Sequence, residues 1–412
     1  MKRRNAARTF APFRSRDFRF QWPADLLTSW AFEMEVLILG WYVLVKTESV
    51  VVLSVLGALS YVGTLFAPAF GVAGDRIGHR NLLCLMRTVY ASLALTLTYL
   101  FATGQATIPA ILVIATCLGI VRPSDHGIRS ALVAQTVAAR RLPGALALSR
   151  TTFDTARIFG ALTGASLFAA LGVTAAYVFV SSCYLGGLVL TAMISTQARS
   201  DAFRARSPLR DLIEGLAYVW RTPHLQAGMC VACLVNFSAF PLTNALMPYV
   251  ARNIYRIDQT GLGLLVASFA FGALLGSIVL ATIRRSVPSG RLMITASIVW
   301  HALLFAFAHT RAPEVGMPLL VAAGFAQSLS MLSLALLLLR GSHPHLRGRV
   351  MGVRMLAIYS LPVGLTLAGW LIAGIGYPAT VSGYALFGIA GTVMIGWLWR
   401  NSVLASDGAA NG

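Results

Sequence analysis

Long apolar blocks recur along the chain, and they restrict its possible folds more than any other feature. Segments 50–72, 109–120 and 322–339 carry almost no charge, and a helix needs about 20 mainly apolar residues to cross a bilayer. Hydrophobic residues make up 57% of the chain and charged residues 11%, whereas a soluble domain carries about 25% charged residues. The pattern predicts an all-α membrane protein without a large soluble core.

The apolar blocks are separated by clusters of Gly, Pro and Arg, and glycine is also frequent within them, as membrane helices tolerate. Marking the blocks and their breaks predicts twelve transmembrane helices. The expected ranges are 19–45, 50–72, 82–103, 107–127, 145–171, 174–196, 225–250, 260–283, 291–310, 315–339, 350–374 and 377–399.

The middle of the chain divides these spans into two sets of six. The longest polar stretch between spans is 197–223, which we interpret as a cytoplasmic linker. Within it, the amphipathic pattern at 208–220 predicts a helix with its leucines on the membrane surface and its charges toward water. The expected organisation is an N-terminal tail (1–18), a six-helix bundle (19–196), the linker, a second six-helix bundle (224–400) and a C-terminal tail (401–412).

Spans 5 and 11 resemble each other. Gly160 and Gly172 in span 5 correspond to Gly364 and Gly376 in span 11 at one constant offset. A chance match between Gly-rich segments is the alternative explanation. Parallel repeats of this kind, with a substrate held between them near the middle of the membrane, are an architecture of transporters.

The formal charge of +19 reports membrane topology. Basic residues crowd the N-terminal tail and the loops after spans 2, 4, 6, 8 and 10. The opposite loops hold only Lys46, Arg252, Arg256 and Arg311. By the positive-inside rule both termini lie in the cytoplasm, so we expect an inner-membrane protein and no nucleic-acid partner. The basic N-terminus leads into a long span without a cleavage site, which argues against a signal peptide.

Motifs of enzymes and of metal sites are missing from the sequence. No H-E-x-x-H, nucleophile elbow or P-loop is present, and no soluble domain could carry ATP hydrolysis or ligand sensing. Cys230 and Cys233 lie in an apolar helix, and His343 and His345 lack acidic or thiol partners nearby in the sequence. We expect no metal and no cofactor, and we disfavour a membrane enzyme or a non-transporting receptor.

A charged motif follows span 2: Gly71-Val-Ala-Gly-Asp75-Arg76-Ile-Gly78-His79-Arg80. Glycine at position 71 would allow close helix packing, and Gly78 would permit a tight turn. The carboxylate of Asp75 can accept hydrogen bonds from a helix N-terminus or pair with an arginine.

This loop resembles the signature between helices 2 and 3 of the major facilitator superfamily. The resemblance implies twelve helices in two six-helix bundles, with Gly71, Asp75, Arg76, Gly78 and Arg80 forming a cytoplasmic gate. Asp125, at the end of span 4, is expected to join that gate. His79 departs from the usual basic residue of the signature. An ordinary charged turn is the alternative reading.

Other segments resemble the enterobactin-exporter branch of that superfamily, which includes alcaligin-type siderophore exporters and broader drug exporters. They are Phe18-Arg-Phe-Gln-Trp22, Arg141-Leu-Pro-Gly-Ala-Leu-Ala-Leu-Ser149, Ala156-Arg-Ile-Phe-Gly160 and Gly348-Arg-Val-Met351. The resemblance implies proton-driven export by alternating access of a siderophore or drug-like solute. Another metabolite or a lipid is the alternative cargo, and we expect a monomer.

Ionisable residues within the predicted spans are functional candidates, because a charge in the membrane is costly unless it faces a cavity or a partner. Span 1 contains Asp25, Glu33 and Glu35. At about 100° per residue, Glu33 and Glu35 point to nearly opposite sides, whereas Asp25 and Glu33 share one side. A buried carboxyl group can bind a proton on one side and release it on the other. Supported by resemblance to drug/proton antiporters, Glu33 is the first candidate for proton coupling and Asp25 the second.

The remaining polar candidates are less specific. Asn236, Phe240 and Asn244 share one face of span 7, and Gln327 lies on span 10. By resemblance, spans 1, 4, 7 and 10 line the substrate cavity, while hydrogen bonding between helices is the competing explanation. Arg157 on span 5 either pairs with the nearby Asp154, so that the helix can insert, or contacts substrate.

Overall fold

A computed structural model describes residues 11–195, 208–282 and 288–403, and the regular structure in these ranges is helical. The longer helices are α1 (Arg16–Thr47), α2 (Val50–Leu59), α3 (Ala67–Ile77), α4 (His79–Ala102), α5 (Ile108–Thr136), α6 (Leu142–Ala192), α7 (Pro208–Arg221), α8 (Pro223–Ser238), α9 (Gln259–Thr282), α10 (Ser289–Ala308), α11 (Pro313–Arg340), α12 (Arg347–Leu356), α13 (Ser360–Ile375) and α14 (Tyr377–Leu398). Parts of the predicted tails (1–10 and 404–412) and of the linker (197–207) lie outside the described residues.

Short helical segments connect or extend the longer helices. They are Ala11–Arg14, Val62–Phe66, Ala139–Arg141, Phe240–Asn244, Met247–Tyr249, Val250–Ile254, Pro344–Leu346, Ala357–Tyr359 and Arg400–Val403. The helix α7 coincides with the amphipathic segment predicted at 208–220.

Nine helices within the described ranges are long and apolar enough to cross a membrane, or ten if the bent pair α2–α3 forms one span. Helix α6 is 51 residues long, about 75 Å at 1.5 Å per residue, against a hydrocarbon core of about 30 Å. At Gly172 its φ of 80° breaks the helix, where the sequence predicted the boundary between spans 5 and 6. The all-α membrane fold is confirmed, and these breaks make the helix count consistent with twelve spans.

The predicted continuous span 7 is wrong in detail. The structure divides it into α8, Phe240–Asn244, Met247–Tyr249 and a π-helical turn. Pro241 and Pro248 each occupy the second position of one of the short helices. A proline inside a helix removes one hydrogen bond and clashes with the preceding turn, so the helix breaks there.

The chain forms two compact units, which we describe separately. The first contains Met1–Leu39 and Val62–Ala205, and the second contains Gly40–Tyr61 and Arg206–Gly412.

In the first unit, aromatic packing fixes the start of α1 against α5 and α6. The ring centroid of Phe13 lies 5.3 Å from that of Phe18 and 5.4 Å from that of Trp22, both edge-on. The indole N–H of Trp22 donates to Thr152 Oγ1 at 2.8 Å. Phe13 and Trp22 pack against a buried cluster that comprises Phe18, Val133, Val137 and Ala145.

In the second unit, glycines bring α9 and α11 into backbone contact. A Cβ atom built on Gly272 would meet the carbonyl group of Val321, and one built on Gly324 would meet the carbonyl group of Phe269. Membrane helices associate through van der Waals packing because lipid tails are as apolar as leucine, and small residues permit the close approach. These glycines therefore hold the two helices together.

The proposed internal repeat has a structural counterpart within each unit. Gly172 and Gly376 both have left-handed backbones, with φ of 80° and 86°. In the first unit Gly160 packs on Glu33 of α1, and in the second unit Gly364 packs on Phe237 of α8. The three positions in the first unit, 33, 160 and 172, each lie 204 residues before their counterparts in the second unit, 237, 364 and 376. The agreement of a contact as well as a backbone angle makes a chance match of Gly-rich segments a poor explanation.

Candidate functional site

A carboxylate, a guanidinium and a phenol form a buried cluster between three helices of the first unit. Glu35 on α1 is fully buried, and its Oε2 accepts hydrogen bonds from Arg122 on α5 and, at 2.9 Å, from Tyr184 on α6. Its Oε1 is buried near Tyr177 without a hydrogen bond of standard geometry among the described residues. Three helices are thus joined at a charge that requires a partner in the membrane.

Arg122 also contacts an aromatic ring. Its guanidinium carbon lies 4.0 Å from the ring centroid of Phe32, a geometry in which the ring face attracts a cation. One of its nitrogens lies 3.3 Å from the hydroxyl of Tyr184. The arginine therefore has a fixed position between α1 and α6.

A second charge network lies nearer the start of α1. Asp25 pairs with Arg87 of α4, and Arg129 of α5 lies 3.7 Å from the same carboxylate oxygen. Arg129 also pairs with Asp125, one turn earlier on α5, and donates to the backbone oxygen of Asp25 at 3.2 Å. Arg87 continues the network to α6, where it donates to the backbone oxygen of Gly187 at 3.2 Å. Two acids and two arginines balance each other, which makes this network a connection between α1, α4, α5 and α6.

Glu33 differs from these acids. It is half-buried, and in the described part of the chain no Arg, Lys or His nitrogen lies within 4.0 Å of its carboxylate. The charges whose fields act on it are those of Arg157 and Arg122. A Cβ atom built on Gly160 of α6 would lie 2.8 Å from the Cβ of Glu33, so the glycine makes room for this side chain between α1 and α6.

The loop after α3 contains the predicted gate motif. Gly78 has φ of 91° and separates the end of α3 from the start of α4. The Asp75 carboxylate lies 3.8 Å from His79 Nε2, and Arg80 donates to Asn81 Oδ1 at 3.0 Å and to the backbone oxygen of Ala192. Arg76 is exposed in the last turn of α3.

Two expectations about the gate motif need correction. A Cβ atom on Gly71 would have open space around it, so this glycine makes no close helix contact. The ion pair of Asp125 within the described residues is with Arg129, and it does not join Asp75 and Arg80. Asp125 is only 5% exposed, and the arginine one turn away on α5 supplies the charge that a buried carboxylate needs.

The predicted cavity residues are distributed over both units. Asn236 donates to the backbone oxygen of Ala232 at 2.8 Å, and the Phe240 ring lies edge-on to Trp300 at 5.1 Å. Since α8 ends at Ser238, the side chains of positions 236, 240 and 244 do not share one face of a continuous helix, contrary to the prediction.

The other candidates are placed as follows. Asn244 ends its short helix, and Gln327 is half-buried on α11. Arg157 lies on α6, one turn before Gly160, and the carboxylate of Asp154 lies 3.3 Å from Arg150 Nε. Of the predicted cavity residues, Arg157 is thus the one that the first unit brings toward Glu33.

Sequence reasoning did not single out Glu35, Arg122, Arg87, Arg129 or Tyr184 as site residues. A signal existed, because two arginines in apolar segments, Arg87 and Arg122, require acidic partners. Glu35 and Asp25 were the available acids on span 1. Choosing between the pairings required the register of α4 and α5 against α1, which hydropathy does not contain.

Comparison with known proteins places this arrangement among transporters. A family described as transmembrane secretion effector matches residues 7–405. The multidrug efflux pump Tap of Mycolicibacterium fortuitum is 24% identical over 330 residues, which cover 77% of this chain and 79% of the pump.

Solved structures show the same fold at low sequence identity. A bacterial homologue of the human lysosomal transporter Spinster, in an inward-facing and unoccupied conformation, superposes with a TM-score of 0.72 at 13% identity, covering 95% of this chain and 99% of the other. A transporter of the POT family in complex with 5-aminolevulinic acid gives a TM-score of 0.71 at 12% identity, covering 94% and 97%.

Proposed function

Because the chain belongs to the transmembrane secretion effector family of the major facilitator superfamily, and is therefore a multi-pass membrane transporter, we propose that it exports a small organic solute in exchange for protons. The relative named as a multidrug efflux pump supports the direction of transport. Alternating access then exposes one binding region first to the cytoplasm and then to the other side of the membrane.

The observation that carries the proton-coupling proposal is the contrast between Glu33 and the other acids within the predicted spans of the first unit. Asp25, Glu35, Asp125 and Asp154 each lie within ion-pair distance of an arginine. Among the described residues Glu33 has no such partner. A carboxyl group without a fixed cation, in surroundings of low polarity, can change its protonation without breaking an ion pair.

The Glu35–Arg122 pair has a different role in this proposal. It fixes a guanidinium between α1 and α6, and the field of that guanidinium reaches Glu33. We propose that the pair stays closed during transport and keeps Glu33 ionisable. Asp25, the second sequence candidate for coupling, is neutralised by Arg87 and Arg129, and we assign it a structural role.

In the proposed cycle, Glu33 binds a proton from the outer side of the membrane and becomes neutral. After the transporter changes conformation, the proton leaves to the cytoplasm. The carboxylate of Glu33 is then ionised while the solute binds. The next conformational change releases the solute outside, where Glu33 is protonated again. Arg157, whose field also reaches Glu33, is the proposed contact for the solute.

For the cargo we propose a siderophore or a drug-like solute of similar size. Segments that resemble the siderophore-exporting branch support the first, and the multidrug pump supports the second.

The proposed cavity residues of the second unit remain Asn236, Phe240, Asn244 and Gln327. The basic loops support an inner-membrane protein with both termini in the cytoplasm, and the loop 71–80 remains the proposed cytoplasmic gate.

Inverted membrane vesicles with an acidified lumen test this proposal. Vesicles that contain the transporter should accumulate ethidium or a metal-free hydroxamate siderophore, and a protonophore should abolish accumulation. The Glu33→Gln variant should lose the accumulation, while Glu48→Gln, at a side chain that is 79% exposed, should retain it. Accumulation that ignores the protonophore, or that survives Glu33→Gln, would contradict proton coupling through this residue.

A further inference from the structure

Helix α7 has one face that is already covered by protein. Gly215 and Val219 are buried, and a Cβ atom on Gly215 would lie 3.0 Å from the Cβ of Arg349 on α12. Next to this contact, Arg349 pairs with Glu214 at 2.7 Å. The helix is therefore held in a defined orientation against α12.

The opposite face of α7 is apolar and exposed. Ile213, Leu216 and Trp220 are 65%, 43% and 73% exposed, and the small Ala217 lies between them. Positions 213, 216, 217 and 220 follow the spacing of a single helical stripe. Because the other face of α7 already packs on protein, this stripe needs another apolar partner to shield it from water.

Hydrogen bonds connect the end of α7 to the start of α8 and to the end of α14. Gln226, in the first turn of α8, donates to the backbone oxygen of Trp220 and accepts from Trp399 Nε1 at 3.3 Å. Trp399 follows the end of α14, where Trp397 is 64% exposed. Tryptophans that mark helix ends lie in the interface between headgroups and acyl chains, so the stripe of α7 is at interface depth.

Basic residues accompany the stripe. Arg221 ends α7 and is exposed, and Arg400 is exposed beyond the end of α14. In the sequence, Arg204, Arg206 and Arg210 precede or begin the helix. A helix with an apolar face and nearby arginines binds a membrane surface, most strongly where anionic lipids are present.

We propose that α7 is an interfacial helix whose stripe of Ile213, Leu216, Ala217 and Trp220 inserts into the bilayer next to α8, with Arg221 bound to anionic phospholipid headgroups. The leaflet is the cytoplasmic one under the proposed orientation, but the insertion itself does not depend on the transport proposal. The continuity of α7 with the membrane helix α8, only Thr222 intervening, favours lipid over a protein partner.

Spin labels test the insertion. In the full chain, with its five cysteines replaced by serine, labels at Ile213→Cys and Leu216→Cys are compared with one at His345→Cys, an exposed loop position. In nanodiscs of phosphatidylcholine and phosphatidylglycerol, oxygen should relax the stripe labels more strongly than a water-soluble nickel complex does, and the loop label should show the reverse. A stripe label that responds like the loop label, or that is shielded from both reagents as under a protein partner, would overturn the proposal.

The lipid charge gives an independent measurement. Removal of phosphatidylglycerol, or Arg221→Gln in its presence, should shift the stripe labels toward the water-soluble reagent. Both labelled variants retain Trp220, and a monodisperse elution profile confirms that they fold. If neither change moves the labels, the assignment of anionic headgroups to Arg221 is wrong.

Discussion

At the scale of single residues, the acids within the predicted spans of the first unit fall into two groups: four that pair with arginine, and Glu33, which has no ion pair among the described residues. Glu35 and Arg122 are almost completely buried, with side-chain exposures of 0% and 9%. Removal of one member of a buried ion pair leaves the other charge without compensation, which is more destabilising than replacing both. The pair therefore determines how α1, α5 and α6 pack, while Glu33 is left available for chemistry.

The pair can be tested by its effect on stability. We expect Arg122→Met to lower the free energy of unfolding by about 3–5 kcal/mol, measured by SDS-induced unfolding in mixed micelles. The double variant Glu35→Leu with Arg122→Met should recover most of the loss, because no unpaired charge remains. If the double variant loses as much stability as the single variants Glu35→Leu and Arg122→Met lose in sum, the residues act independently and the pairing is wrong.

The partners of the acids on α1 could not be predicted from the sequence. The periodicity of span 1 assigned Glu33 and Glu35 to different sides, and the structure places them against Gly160 and Arg122 respectively. Periodicity gives the direction of a side chain around its own helix. It does not identify the residue on the neighbouring helix, so the partners of Asp25 and Glu35 required the structure.

At the scale of helices, breaks follow residues that can be recognised in advance. Gly172 and Gly376, expected at the ends of spans 5 and 11, both have positive φ. The division of span 7 at Pro241 and Pro248 was missed, since a proline in a membrane helix produces a kink in one context and a break in another. The glycines thus marked helix ends in advance, whereas the sequence did not show whether the prolines would bend span 7 or divide it.

The contact between α9 and α11 provides a test at this scale. Alanine at Gly324 would bring a methyl group against the backbone of Phe269, and such overpacking costs about 1–3 kcal/mol. The control is Gly383→Ala on α14, where a Cβ atom meets open space and helix propensity favours alanine by up to about 1 kcal/mol. Equal unfolding curves for the two variants would contradict the close packing.

At the scale of the whole molecule, the distribution of charge predicts the orientation in the membrane. Arginines follow alternate predicted spans, and by the positive-inside rule we expect these loops on the cytoplasmic side of the membrane. This prediction depends on counting charges in loops, so the contacts between helices do not test it.

Cysteine labelling tests the orientation. A membrane-impermeant maleimide should label Glu48→Cys, between α1 and α2, in intact cells, and should label His345→Cys, between α11 and α12, only after permeabilisation. The native cysteines lie within membrane helices and serve as the background. Labelling of His345→Cys in intact cells would reverse the proposed topology.

In the proposed cycle, Glu33 releases its proton when the solute binds. The most direct measurement is the release of protons when ethidium is added to the purified transporter in weakly buffered detergent solution. The wild-type protein should acidify the solution on binding, whereas Glu33→Gln should bind without acidification. Equal proton release from both proteins would contradict the assignment of coupling to Glu33.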